Sequence, residues 1–417
     1  MTDNNLDTPA SISFFDRPQV QRETVNGIPL GMEPVSNREV GIAGVYGTWG
    51  DSYNNQALPE LVEQRLGGTL PDNERLNLAE LGFVNRHHVT GLSLEENRKL
   101  EVEVGARFLR AAVKACGWLP EEVQAVLLGV SAPLGLDFTE AVARQAGIPD
   151  GALKVTIHKA CDSSVSGLHL ALNPELQENK DLPFNLAELL NGKKILVGGM
   201  EGLSRFVESS KDSNALQLFG NAAGVIGLIP GQAMRFIAGK AHQVFDTEGV
   251  LQVRMLYPHQ HRSQDDLIDV KQTGEHSVRI AGLQYEPQDG ANIKMAGPMG
   301  MVKLFVRSGV QVVQGVYQAY QERLKEMGSS GKTIAVAIVH HANYKINRLK
   351  EKNLQKEGIS LNMPWLLSEF GNVSAASNMI ALLRQLPELH PGDHVMIDGF
   401  GAGTYYDTFV VELGGAA

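Results

Sequence analysis

Cys161 stands where an apolar, β-branched run (residues 153–157) gives way to small residues and leucines at helical spacing (residues 163–172). The first run reads as a buried strand and the second as a helix. The sulfur is then at a joint where the first free N–H groups of a helix point outward. Those groups and the helix dipole favour a thiolate, whereas an unperturbed thiol, of pKa about 8.5, is only a few per cent ionised near neutrality. The expectation is a thiol that ionises easily and is placed to act as a nucleophile. The same position also suits a small buried hydrophobe, the commoner role of a single cysteine.

Two further positions could take part. His340 ends a buried apolar run at 333–339 and is followed by His341, Ala342 and Asn343. A strand delivers it to an edge where a helix begins, although a hydrogen-bonded core histidine would look the same. The His340–His341 doublet does not make a metal site, because neighbours on a strand face opposite ways and no other His, Cys or Asp spacing completes a ligand set. Asn372 opens a second small-residue stretch at 371–383, where Asn is also common simply as a cap. The glycine-rich turn 399–403 follows a strand, but a strand-like run follows it in turn. A dinucleotide loop needs a helix there, so the glycines are read as allowing close backbone approach. Cys116 falls in the last turn of a helix and is read as structural.

The elements around these residues alternate. Strands are expected near 40–46, 123–130, 153–157, 194–199, 333–339, 394–397 and 404–412. Helices are expected near 57–66, from the capping box Ser93–Glu96 to about Cys116, and at 163–172, 302–327 and 343–356. Residues 173–191 read as a polar loop insertion. Continuous apolar strands alternating with helices indicate an α/β fold with a mostly parallel sheet. The two small-residue helices, one beginning after Cys161 and one after Asn372, align with each other. That suggests two similar halves packed through those helices. Residues 1–38, with Pro9, Pro18, Pro29 and Pro34, read as an irregular N-terminal arm. Residues 39–232 form a first half carrying Cys161, and 233–417 a second half carrying His340 and Asn372.

With 417 residues, 43% hydrophobic and 20% charged, the chain is long enough for such a two-part core. The net charge of −10 opposes a nucleic-acid partner. Two cysteines allow no disulfide framework, no run is apolar enough for a membrane span, and the first residues are not a signal peptide. The expectation is a cytoplasmic protein.

The motifs His340-His-Ala-Asn-Tyr-Lys-Ile346, Gly371-Asn-Val-Ser-Ala-Ala-Ser377 and the Ala160–Cys161 joint resemble beta-ketoacyl-acyl-carrier-protein synthase III of the thiolase superfamily. Supporting matches are residues 199–204, 219–224 and 399–403, in the same order from about Val40 onward. The resemblance implies a thiolase-like five-layered αβαβα fold of two similar halves, usually a homodimer. It also implies a catalytic set of Cys161, His340 and Asn372. Cys161 would accept an acyl group from a thioester, with the backbone N–H groups of Cys161 and Ala402 as an oxyanion hole. His340 and Asn372 would then stabilise the enolate left when a malonyl thioester loses carbon dioxide.

No tightly bound cofactor is implied; the substrates would be thioesters of coenzyme A or acyl carrier protein. Lys345 and Arg348 would help dock the acidic carrier protein. Phe138 would line an acyl tunnel or the dimer contact, or be an ordinary core residue. The chain departs from the family at 80–88, where a basic segment near the coenzyme A adenine is replaced, and at Asp162–Ser164. It also carries the N-terminal arm and loop insertions. These departures suggest a specialised lipid or secondary-metabolite pathway. The alternative is an acyltransferase of the same fold that passes the acyl group to an O, N or S nucleophile.

Overall fold

The computed structural model describes residues 13–131, 135, 137–243, 269–281, 303–401 and 405–414. Among these, fifteen strands form two principal sheets and one small hairpin sheet. The strands are β1 Gln21–Val25, β2 Ile28–Asn37, β3 Ile42–Trp49, β4 Asp51–Asn54, β5 Asn85–His88, β6 Ala125–Gly129, β7 Leu153–His158, β8 Ile195–Glu201 and β9 Ala222–Leu228. The remainder are β10 Met234–Gln243, β11 Asp269–Gly274, β12 Ser277–Ala281, β13 Ile334–Val339, β14 His394–Gly401 and β15 Tyr405–Leu413. Five helices position the site: α1 Leu94–Ala115, α2 Ser163–Leu172, α3 Gly309–Glu326, α4 Tyr344–Lys356 and α5 Ser377–Gln385.

The first sheet runs β1-β2-β3-β9-β8-β6-β7-β12-β11 and the second β10-β15-β14-β13. The run β3-β9-β8-β6 has its counterpart in β10-β15-β14-β13. In both, the first two pairings are antiparallel and the third is parallel. A repeated strand order with a repeated sense at each pairing is a duplication, and the central helices α2 and α5 extend it.

Those two helices lie between the sheets, in contact with each other and with strands of both. Every residue of α2 is buried, which accounts for its all-round mixture of leucine, alanine and small residues. On the outer face of the first sheet, α1 buries Val104, Phe108, Leu109 and Ala112. Outside the second sheet, α3 and α4 supply Val313, Val316, Tyr320, Ile346 and Leu354. The order of layers is therefore helix, sheet, helix pair, sheet, helix pair: the five-layered thiolase-like αβαβα architecture. Ser93 caps α1 as the sequence indicates, accepting from Glu96 N at 3.3 Å while Glu96 reaches back to Ser93 N at 2.8 Å.

Three expectations need correction. Residues 13–38 are not irregular: β1 and β2 form a hairpin that extends the first sheet beside β3. Pro29 and Pro34 both fall within β2, so two of the prolines that point to an irregular arm sit inside a paired strand. Before this hairpin Phe14 is fully buried, its ring 4.9 Å from Phe370 and 5.8 Å from Tyr46. Second, β11 and β12 belong to the first sheet, because β12 pairs in parallel with β7. A boundary at 233 therefore does not separate the two sheets. Third, the segment 173–191 contains short helices at Gln177–Asp181 and Leu186–Leu190. Leu176, Leu182, Leu186 and Leu190 anchor it in the central core, so it is more than a polar loop.

Candidate active site

The site residues leave the carboxyl ends of parallel strands, where α/β sheets characteristically present chemistry. Ser131 follows β6, Cys161 follows β7 and Glu201 ends β8; in the second half, His340 follows β13. Asn372 arrives from the segment that precedes α5, and Phe219, just before β9, forms a β-bridge with it.

A 3-10 turn, Ala160–Asp162, joins β7 to α2, and Ala160 has φ +50°. The turn is fixed from below by Lys159, a fully buried ammonium bonded to Asp407 at 2.9 Å, Glu178 at 3.1 Å and Ser166 at 2.9 Å. Burial alone would lower its pKa, but the Asp407 and Glu178 carboxylates outweigh that and hold the lysine charged. Gly401 lets β14 approach: a Cβ there would lie 2.2 Å from Lys159 O. The glycine turn thus serves close backbone approach, as its sequence suggests. Ala402 lies outside the described residues.

Opposite Cys161, the second half repeats the turn. Ser374 has φ +45° and opens the 3-10 turn Ser374–Ala376 that leads into α5. Its hydroxyl lies 3.1 Å from Cys161 Sγ, and its N–H donates to Asn372 Oδ1 at 3.0 Å. Asn372 Nδ2 donates to Ala342 O at 3.5 Å. The segment behind His340 is held by His341 N donating to Ser377 Oγ at 3.0 Å, while His340 N donates to Asp398 O at 2.9 Å. Cys161, Ser374, Asn372 and the His340–Ala342 turn are thus tied into one cluster. Two side chains of the implied catalytic set meet through Ser374, and the third stands two residues from the carbonyl that Asn372 contacts.

The electrostatics correct one expectation. Cys161 keeps some exposure, yet desolvation by its surroundings pushes the thiol up to about 12, with Glu201 and Asp162 adding to the rise. The Ser374 hydrogen bond opposes this without overcoming it. The turn places the sulfur before α2 rather than on its first free N–H groups, and buried carboxyls surround it. The resting group is a thiol, not a ready thiolate. His340 is held neutral, its pKa lowered to about 3 by burial and then by His341 and Lys350. Neither of its ring nitrogens has a partner among the described residues, and a buried polar group left so is available to a ligand.

Other candidates lie elsewhere. Phe138 opens the helix Phe138–Gln145 and sits in the outer core with Phe108, Val142 and Met200. That is the ordinary core position. Lys345 is ion-paired to Glu80 and Arg348 to Glu351, all on the surface except the more sheltered Glu351. Lys350, on the same helix, is buried against Asp398 and offers no surface charge. Arg86 is fully buried, bonded to Gln217 O and Asn55 Oδ1, so it presents nothing outward to an adenine. A cavity of about 770 Å³ lined by Cys116, Trp118, Gly227 and Ile42 lies at the other end of the sheet, away from Cys161.

Sequence reasoning did not single out Ser131, Ser374 or Glu201. The signal was a carboxylate closing an otherwise apolar strand, a residue type seldom buried without a purpose.

The C-terminal part of 3-oxoacyl-acyl-carrier-protein synthase III matches residues 324–413. Beta-ketoacyl-acyl-carrier-protein synthase III of Aquifex aeolicus (strain VF5) is 25% identical over 299 residues, 70% of this chain and 78% of that protein. The crystal structure of 3-oxoacyl-acyl-carrier-protein synthase III from Aquifex aeolicus VF5 superposes with TM-score 0.58 at 18% identity, covering 89% of this chain and 98% of that one. The 1,3,6,8-tetrahydroxynaphthalene synthase of Streptomyces coelicolor A3(2) gives TM-score 0.59 at 13% identity over 92% and 99%. Such distant structural likenesses bear on the fold, while the family match covers the segment that carries His340 and Asn372. Over residues 324–413 the chain is thus similar to the C-terminal part of 3-oxoacyl-acyl-carrier-protein synthase III, and its overall fold is like that of the two superposed synthases.

Proposed function

We propose that the chain catalyses decarboxylative Claisen condensation. Cys161 attacks an acyl thioester, the acyl group passes to its sulfur, and the departing thiol takes a proton. A malonyl thioester then loses carbon dioxide. The enolate carbon attacks the acyl-sulfur carbonyl, giving a β-keto thioester and returning the Cys161 sulfur. The observation that supports this reading most directly is the neutral, unpartnered imidazole of His340 beside the Cys161–Ser374–Asn372 cluster. An imidazole N–H and a carboxamide N–H are suitable donors to an enolate oxygen, because their charge does not change as the enolate forms. Asn372 serves this condensation better than it serves transfer to an oxygen or nitrogen nucleophile.

Acyl carrier protein or coenzyme A supplies the thioesters, in a specialised lipid or secondary-metabolite pathway, and the protein works as a homodimer. Lys345 and Arg348 contribute to carrier docking by exchanging Glu80 and Glu351 for carrier carboxylates. Turnover with a carrier-bound substrate then falls as salt rises. Among the described residues, no helix is long and apolar enough to cross a membrane. The decisive experiment offers acyl donors with malonyl carrier protein or malonyl-coenzyme A. It expects acyl mass on Cys161, carbon dioxide release and a β-keto product. An ester or amide formed without carbon dioxide would overturn the proposal.

A further inference from the structure

We propose that Glu201, acting through Ser131 and Ser374, receives the proton of the Cys161 thiol, so that the nucleophile is made by proton transfer inside the protein. The proposal rests on the reading of Cys161 as the acyl acceptor and deepens it by naming the base.

Four segments distant in sequence build one continuous chain of hydrogen bonds. Ser374 Oγ lies 3.1 Å from Cys161 Sγ, Ser131 Oγ lies 2.5 Å from Ser374 Oγ, and Glu201 Oε1 lies 2.6 Å from Ser131 Oγ. Ser131, Glu201 and Ser374 are each at most 2% exposed, so bulk water does not compete along the line. The same Glu201 oxygen accepts the N–H groups of Ser131 and Ala375, both at 3.0 Å, which fix the carboxylate at the far end. A Cβ at Gly199 would lie 2.1 Å from Ala375 O, so the glycine in β8 is what lets the two halves close to this distance.

The transfer balances. The Cys161 S–H bond breaks and its proton goes to Ser374 Oγ. The Ser374 hydroxyl proton passes to Ser131 Oγ, and the Ser131 hydroxyl proton passes to Glu201 Oε1. Each serine loses one proton and gains one, leaving a thiolate and a neutral carboxylic acid. With the chain reversed, Glu201 donates to Ser131, Ser131 to Ser374 and Ser374 to the thiolate. Both protonation states are therefore fully hydrogen-bonded, and the buried site carries one negative charge in either.

Holding two charges there would be costly, and the two end groups show it. Burial first pushes Glu201 up to about 8 and Cys161 up to about 12. The other charged or titratable groups around the line are Asp162 beside Cys161, the Glu101–Arg205 pair beyond Glu201, Lys159 with Asp407 and Glu178 under the turn, and His340. Of these, His340 has no hydrogen bond to the sulfur and is held neutral far below the usual range, so it is the poorer base.

The test is the rate at which iodoacetamide alkylates Cys161, followed from about pH 6 to 10, with peptide mass spectra separating Cys161 from Cys116. With Glu201 as internal base, the wild-type rate passes through a plateau in which the thiolate fraction is set by the internal proton position. Glu201→Gln and Ser131→Ala lose the plateau and rise about tenfold per pH unit through that window, whereas Ser131→Thr, which keeps a hydroxyl, restores it. A residue that merely supports the fold would change the rate without changing this slope. A wild-type profile without a plateau, or a plateau retained in both Glu201→Gln and Ser131→Ala, overturns the proposal; should either variant fail to fold, the other decides. No acyl substrate is used. An intact plateau with no condensation product would remove the condensing-enzyme reading alone, and acyl-Cys161 without a plateau would remove the relay alone.

Discussion

Lowering the pH from 7.5 to 5.5 tests the environment of His340. Burial takes the imidazole pKa from 6.5 to about 3, with His341 and Lys350 reinforcing the shift. An ordinary imidazole would go from about nine-tenths neutral to about one-tenth neutral over this interval, a tenfold loss of the neutral donor. With a pKa near 3, His340 stays more than about 99% neutral at the lower pH. The assay is single-turnover carbon dioxide release from a malonyl thioester by enzyme whose Cys161 is already acylated. This takes the ionisation of the sulfur out of the measurement. The expected rate is constant within about twofold; a decline with an apparent pKa near 6.5 would refute the account of His340.

The same shift has a cost in stability. A histidine whose folded pKa lies below its unfolded value contributes its full stability above pH 6.5 and loses it as the pH falls toward the folded value. At pH 5.5 the loss for His340 is about 1.4 kcal/mol. His87, His158 and His341 are also held down mainly by burial, and together the four approach about 6 kcal/mol, within the usual total for a fold; burial lowers His88 in the same direction. Glu201, raised chiefly by burial to about 8, gains a proton on folding in this pH range and offsets part of this. A urea midpoint measured at each pH separates unfolding from the chemical step.

Two substitutions probe the parts around that step. Asn372→Ala removes the amide that joins Ser374 N to Ala342 O; carbon dioxide release should fall by about 10²–10³, or about 3–4 kcal/mol of barrier. Acyl transfer to Cys161, read by mass, should persist; if both steps fall equally, Asn372 is not specific to the enolate. Phe14→Ala empties a fully buried site against Phe370 and Tyr46 and should cost about 3–5 kcal/mol in urea unfolding. A loss below about 1 kcal/mol would mean that the N-terminal segment only rests on the surface.

What the sequence revealed follows from what is periodic in it. Apolar runs identified β6, β7, β8 and β13, and α2 falls on residues 163–172 as its spacing indicates. The Ser93 cap was equally clear because its reciprocal hydrogen bonds are local. The β1–β2 hairpin was obscured by Pro29 and Pro34, whose cost depends on whether their positions need an N–H, which pairing alone decides. β12 was missed because its partner, β7, lies more than a hundred residues earlier. The Cys161–His340–Asn372 set came from motif resemblance, and the pairing of Ser131 with Ser374 had no sequence signal, since a buried serine looks like any other. The thiol's pKa failed for a related reason: a local rule about helix ends was overruled by burial in the assembled core, with the Glu201 and Asp162 carboxyls adding to the rise.

The duplication explains why the sulfur meets a hydroxyl. Ala160 and Ser374 both hold left-handed backbone, each three residues before the helix that follows, α2 from Ser163 and α5 from Ser377. Such a conformation costs a non-glycine residue about 1–2 kcal/mol, and its presence at matching places makes the strain a property of the repeated turn. In the first half the next residue is Cys161 and in the second it is Ala375. The turns face each other across the central helices, so the residue that enters the second turn, Ser374, reaches the sulfur of the first. Ala375, in the place of Cys161, instead donates its N–H to Glu201, and its carbonyl accepts from the Ser164 hydroxyl. One half thus supplies the Cys161 sulfur and the other the Ser374 hydroxyl that it meets. Ala375→Cys would put a second thiol at the equivalent turn, where its side chain could intrude on the small-residue contact between halves while its N–H still served Glu201. A change confined to the α2–α5 packing, with the alkylation plateau of Cys161 kept, is what this division of roles requires; a lost plateau would show that the two turns do not act separately.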